Sequence, residues 1–210
     1  MEQAAHAVVV GGQQCQCVHG SLRGSGLSVR LADEVPRPPE GKPARRGGYL
    51  HDVGTKPAVD VIGARLKAQG RTLAVAESLT GGLLAAAFAE GDDASTWFRG
   101  GVVAYAAEVK HSVLAVPDVP IVSADCARSM AEGVGRLLGA DVAVAVTGVG
   151  GPDPQDGEPP GTVWLAVAVD GTVRSVLVRA DGAPGDVCST TVDSAIELVR
   201  RAVLEPSPRP

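Results

Sequence analysis

Apolar positions recur with two different periods along residues 57–204, and the switches between them mark the elements. "AVDVIGARLKAQG" (58–70) sets Val59, Ile62 and Leu66 on one side and stops at Gly70, which predicts a helix. "RTLAVAES" (71–78) is a short continuous apolar run and predicts a buried strand, with a helix over 80–90 behind it. "RGGVVAYA" (99–106) predicts a second strand, and "AEVKHSVLAV" (107–116) a helix. In 123–139 the stripe Cys126, Met130, Val134, Leu137 and Leu138 runs between an N-cap serine, Ser123, and a stop glycine, Gly139. "ADVAVAVTG" (140–148) reads as another buried strand. Residues 161–180 read as two strands joined at Asp170-Gly171, a hairpin dipeptide, and 186–204 as a closing amphipathic helix. Strands alternating with helices, followed by a hairpin, predict an α/β fold with a mixed sheet covered on both faces.

Residues 1–56 lack this order. "VPRPPEGKPARRGGYLHDVGTKP" (35–57) is rich in Pro, Gly and Arg without apolar periodicity, and reads as a poorly ordered arm. The isolated valine runs before it offer a weak strand pair at most. His6, Cys15, Cys17 and His19 are badly spaced for a structural zinc site. The expected organisation is therefore an arm over 1–56 and one domain over 57–206.

Charge sharpens that division. The chain has a formal net charge of −5; residues 1–56 hold 7 basic and 5 acidic side chains, and the remainder 12 basic and 19 acidic. An acidic domain of this kind argues against nucleic-acid binding through bulk electrostatics. No apolar run reaches the roughly 18 residues of a membrane span, and no secretory signal is visible. A cytoplasmic protein with reduced thiols is expected, with Cys126 and Cys188 as small core residues.

Candidate chemistry collects in turns after the strands, where α/β sheets place their ligands. The first is Glu77-Ser78-Leu79-Thr80-Gly81-Gly82, the second "YAAEVK" (105–110), the third "TGVGGPDPQDGEPPG" (147–161). Ser78 has two readings: the cap of a helix beginning near Thr80, or a nucleophile. As a nucleophile it needs a base. No histidine lies in these turns, and His111 follows Lys110 on a helix, where neighbours point apart. A serine–lysine pair, Ser78 with a partly desolvated Lys110, is the better arrangement. Tyr105 either relays a proton or is a half-buried aromatic. Glu77 orients the turn, and the amides of Leu79 to Gly82 open a helix that can receive an oxyanion or a phosphate. "TGVGGP" lacks the lysine of a phosphate-binding P-loop.

Taken together, "AESLTGGLLAAAF", "GGVVAYAAEVKHSVLAV", "VSADCARSMAEGVGRLLGADVAVAVTGVGGPDPQDGEPPGTVW" and the last helix resemble the CinA carboxy-terminal domain family, over about residues 57–204. The resemblance implies a three-layer α/β/α sandwich with a mostly parallel sheet and a late hairpin. It implies hydrolysis of the carboxamide of nicotinamide mononucleotide to nicotinic acid mononucleotide and ammonia, as a step of pyridine nucleotide salvage, with no metal or cofactor. It assigns catalysis to Ser78, Lys110 and Tyr105, and substrate contacts to Glu77, Thr80, Gly81, Gly82, Thr147, Gly148, Gly150 and Gly151. A small nucleotide is the implied partner, without nucleic acid or membrane, and a homo-oligomer is expected. Two positions depart from the family. Leu79 replaces a usual cysteine. In "RADGAPGDV" (179–187), Pro184 falls near an arginine thought to serve the substrate, and Arg179 is the nearest alternative. A weak enzyme, an altered substrate and an inactive nucleotide-binding relative all remain compatible with that loss.

Overall fold

Residue size alternates along the central strands, and that alternation builds the layers. In a strand, successive side chains point to opposite faces. Strand β2 (Leu73–Glu77) places Leu73 and Val75 on one face and Ala74 and Ala76 on the other. Strand β4 (Val142–Gly148) repeats this with Val142, Val144 and Val146 against Ala143 and Ala145. The bulky face is covered by α1 (Lys56–Ala68), α2 (Leu83–Ala89) and α5 (Pro184–Leu204), through residues such as Ile62, Phe88 and Ile196. The alanine face carries α3 (Ala107–Leu114) and α4 (Ala124–Leu138) through Val109, Met130 and Val134. The result is a three-layer α/β/α sandwich.

This computed structural model describes residues 8–10 and 55–204. Its sheet has six strands in the order β1-β3-β2-β4-β5-β6, with β1 at Val8–Val10, β3 at Phe98–Val103, β5 at Thr162–Val169 and β6 at Thr172–Arg179. The core β3-β2-β4 is parallel; β1, β5 and β6 each pair antiparallel with a neighbour. The sheet is therefore mixed around a parallel centre. The hairpin turns at Asp170 (φ 51°) and Gly171 (φ 73°), the two positive angles of a tight two-residue turn.

Helix ends largely follow the sequence signals. Ser123 caps α4, its Oγ accepting from the Cys126 amide at 3.1 Å, and Gly139 closes the helix at φ 61°. Helix α1 begins at Lys56, with Pro57 in its first turn. Two expectations fail. Leu137 is not part of the buried stripe and is exposed, because neighbouring helix positions differ by about 100° and it is Leu138 that packs on the core. Ser78 does not cap α2: the helix starts at Leu83, after Gly82. Most of the expected arm over 1–56, including the zinc-spacing residues His6, Cys15, Cys17 and His19, lies outside the described residues.

Among the described residues, no helix is long and apolar enough to cross a membrane.

Candidate active site

The parity of β2 decides where the first turn sends its side chains. Glu77 shares a face with Leu73 and Val75, so it points at α2. Ser78, one residue on, leaves toward α3. Both consequences are visible in the bonding.

Glu77 is fully buried, and its carboxylate accepts four hydrogen bonds. Oε2 receives the Thr80 hydroxyl at 2.7 Å and the Gly82 and Leu84 amides at 3.0 Å each; Oε1 receives the Ala85 amide at 2.8 Å. These are amides that the opening turn of a helix leaves without partners, and a carboxylate there also faces the positive end of the helix dipole. Glu77 thus does the capping that the sequence suggested for Ser78. The chain reaches this geometry through positive φ at Gly81 (59°) and Gly82 (108°), angles that a side chain disfavours.

With its capping role gone, Ser78 is left to Lys110. Lys110 is 1% exposed, and its Nζ lies 3.0 Å from Ser78 Oγ. Nζ also donates to the carbonyl oxygens of Ala104 at 2.7 Å and Tyr105 at 3.3 Å. Those carbonyls sit just past β3, where the Ala104 amide continues the sheet by donating to Glu77 O. Burial lowers the Lys110 pKa, against smaller opposing effects of Cys126, Asp156 and Glu108. Nζ thus donates to three oxygens, Ser78 Oγ among them. On loss of a proton, which burial favours, its lone pair faces the Ser78 hydroxyl.

A cleft of about 250 Å³ opens beside Ser78. It gathers Ser78, Tyr105, Gly148, Gly150 and Gly151 from the three predicted turns. Tyr105 stands at its edge, 71% exposed. Among the described residues, the Leu79 and Thr80 amides find no protein acceptor, whereas Gly81 donates to Ser78 O and Gly82 to Glu77. The free donors beside Ser78 are therefore Leu79 and Thr80, not the whole stretch to Gly82.

Several expected substrate contacts are structural instead. Glu77 spends both oxygens on the turn. The Thr80 hydroxyl is committed to Glu77, and Thr80, Gly81 and Gly82 lie outside the cleft lining. Thr147 is fully buried and donates to Ile121 O at 2.9 Å. Arg179 does not replace a cation at Pro184: it pairs with Glu158 at 3.5 Å and bonds to Thr162 Oγ1. Sequence reasoning missed Asp153, Gln155 and Cys188, all of which line the cleft. Cys188 is half-buried rather than core, its thiol donating to Leu79 O at 3.4 Å. Its place near Pro184, one helical turn along α5, was the available signal. A larger hollow, about 310 Å³, lies at the other end of the sheet between α4 and the β5–β6 turn, away from Ser78.

An α/β sandwich with a buried lysine bonded to a serine at a strand end is the class of protein these features define. The chain belongs to the CinA C-terminal domain family, whose model matches residues 55–203. It is 46% identical over 151 residues to a CinA-like protein of Frankia casuarinae, an overlap covering 67% of this chain and 34% of that one. The chain spans about a third of the length of the curated relatives it matches, 32% in a Listeria welshimeri protein. Among solved structures it resembles competence damage-inducible protein A (ComA) of Klebsiella pneumoniae, with a TM-score of 0.70 and 33% identity, covering 73% of this chain and 99% of that one. Competence/damage inducible protein CihA of Agrobacterium tumefaciens gives a TM-score of 0.69 and 30% identity, covering 73% of this chain and 98% of that one.

Proposed function

We propose that the chain is a serine–lysine amidase that hydrolyses the carboxamide of nicotinamide mononucleotide to nicotinic acid mononucleotide and ammonia. The observation that carries this reading is the 3.0 Å contact between Ser78 Oγ and a buried Lys110 amine whose other bonds go only to carbonyls.

Neutral Lys110 takes the hydroxyl proton as Ser78 Oγ attacks the amide carbon. The Leu79 amide, the free donor that lines the cleft, holds the oxyanion that forms. Lys110 returns the proton to the departing nitrogen, the C–N bond breaks, and ammonia leaves an ester on Ser78. Water, deprotonated by the same amine, cleaves that ester and restores the hydroxyl. Tyr105 at the cleft edge serves as a second proton donor or as a wall for the ring.

Incubating the full chain with nicotinamide mononucleotide tests the reading. Ammonia and nicotinic acid mononucleotide in equal amounts support it; a substrate left intact refutes it. A second reading, a pyridine-nucleotide-binding module without turnover, is favoured by Pro184, which lines the cleft where the family commonly has an arginine. Tight binding without product supports that alternative. The expected homo-oligomer has its support in outer strand β6, where Val176 and Leu177 stay 43% and 40% exposed. Sedimentation tests it, and a monomer contradicts it.

A further inference from the structure

Two loops bring unpaired backbone donors to the cleft beside Ser78. Leu79 lies in the first turn, Gly150 and Gly151 in the third, and all three line the cleft. Among the described residues, none of their amides has a protein acceptor. The peptide planes decide where two of these donors point. In a trans peptide the carbonyl oxygen and the amide hydrogen that follows it face opposite ways. Ser78 O turns inward to accept the Gly81 amide at 3.1 Å, so the Leu79 N–H faces out of the turn. Val149 O accepts the Gly161 amide at 2.8 Å, on the β5 side of β4, so the Gly150 N–H faces the other side, that of β2. No strand receives it there, because β2 pairs with β4 only as far as Ala76 and Ala145. The Ser78 turn stands in that place, and Gly150 packs on it: a Cβ at Gly150 would lie 3.8 Å from Leu79 Cβ. Gly151, at φ 89°, then turns the chain away toward Pro152.

A carbonyl oxygen that becomes an oxyanion on attack gains most from donors already aimed at it. Serine hydrolases commonly set the amide after the nucleophile against one from a second loop. Leu79 and Gly150 stand in that relationship to Ser78. We infer that the Gly150 amide is the second oxyanion donor of this site, facing the Leu79 amide across the reacting carbon. This rests on the amidase reading above and deepens it. As Ser78 Oγ bonds to the carboxamide carbon, the π pair moves onto oxygen, between the two N–H groups. When that pair returns, the C–N bond breaks, and the nitrogen leaves with the proton that Lys110 had taken from Ser78.

Gly150→Pro deletes this N–H, whereas Gly150→Ala keeps it and adds a Cβ at ordinary contact distance from Leu79. Ammonia release from nicotinamide mononucleotide is measured with the full chain and both variants, folding being verified by circular dichroism. Binding of the same compound is measured with each form carrying Ser78→Ala. The turnover number of Gly150→Pro should lie roughly 100-fold or more below that of Gly150→Ala, the size of one oxyanion donor. Binding to the two should agree within roughly threefold, because this hydrogen bond strengthens only as charge develops on the oxygen. Equal turnover by the two folded variants overturns the inference and leaves the amidase reading standing. A loss of binding as large as the loss of turnover also overturns it, since the amide would then grip the intact substrate, its phosphate included. If proline unfolds the chain, the Gly150 amide proton of the isotope-labelled unaltered chain decides by NMR. Pyridine-3-carboxaldehyde, whose hemiacetal with Ser78 places an oxygen at the same point, should move that resonance downfield, and should not do so in Ser78→Ala. A resonance that stays in place overturns the inference. An unaltered chain that releases no ammonia removes the amidase reading and the inference with it.

Discussion

Lys110 Nζ lies 3.0 Å from Ser78 Oγ, across the seam between α3 and the end of β2, and the amine is almost wholly shielded from water. One residue of parity produces this relationship. A one-residue slip in the register of β2 would turn Glu77 toward α3 and Ser78 toward α2. The carboxylate that holds the α2 amides and the serine that meets the lysine are adjacent in sequence because they serve opposite faces of one sheet.

Lys110 is expected to impose a pH dependence on stability. Its folded pKa is lowered from the usual 10.5 by burial. Between the folded value and 10.5 the unfolded chain holds a proton that the folded chain has lost, so stability rises with pH across that window. The slope is at most about 1.4 kcal/mol per pH unit for one proton. Lys110→Met lacks this contribution. Urea unfolding of both proteins from neutral to alkaline pH should therefore show the wild type gaining on the variant as pH rises. A wild type that loses ground over the same range would mean that the ammonium, not the amine, is the form the site stabilises.

The rate of carboxamide hydrolysis should follow the same titration. Activity rises with pH as Lys110 loses its proton and levels off above its folded pKa. A profile that falls through that range would assign the working form to the ammonium.

Glu77→Ala is expected to destabilise the fold by at least about 3 kcal/mol, because it strands buried amides at the start of α2. Glu77→Gln keeps the shape but turns one acceptor into a donor that faces amide donors, and should cost less. Both should lower the turnover number more than they raise KM, since Glu77 acts by holding the Ser78 turn. Denaturant midpoints and steady-state kinetics check the pair. Glu77→Ala with wild-type stability would contradict the capping role.

Gly82→Ala tests the turn by strain alone. The added Cβ has room, its nearest neighbour being Val103 Cγ2 at 3.8 Å, but φ is 108°. A loss of about 1–2 kcal/mol is expected from the backbone angle. A neutral change would show that the turn can relax without its glycine.

The elements were legible in the sequence because period, cap and stop signals agreed along 57–204, and the three turns do meet at one end of the sheet. What the sequence hid was which atoms were already engaged. Ser78 and Glu77 both looked like turn residues. Only the alternation of β2, carried one residue past the strand, distinguishes a carboxylate spent on α2 from a hydroxyl left for Lys110. Thr147 looked like a ligand contact and proved to bond Ile121 O across the fold, a partner 26 residues away that no local pattern reveals. Asp153 and Cys188 reach the cleft from a Gly/Pro loop and the first turns of α5, where neither periodicity nor spacing fixes direction.

The most direct test of the central claim is ammonia release from nicotinamide mononucleotide by the full chain, Ser78→Ala and Lys110→Met side by side, with folding of each verified by circular dichroism. The account predicts turnover by the unaltered chain and a loss of roughly 1,000-fold or more in both folded variants, as when a nucleophile or its base is removed. Ser78→Ala or Lys110→Met retaining full activity would contradict it.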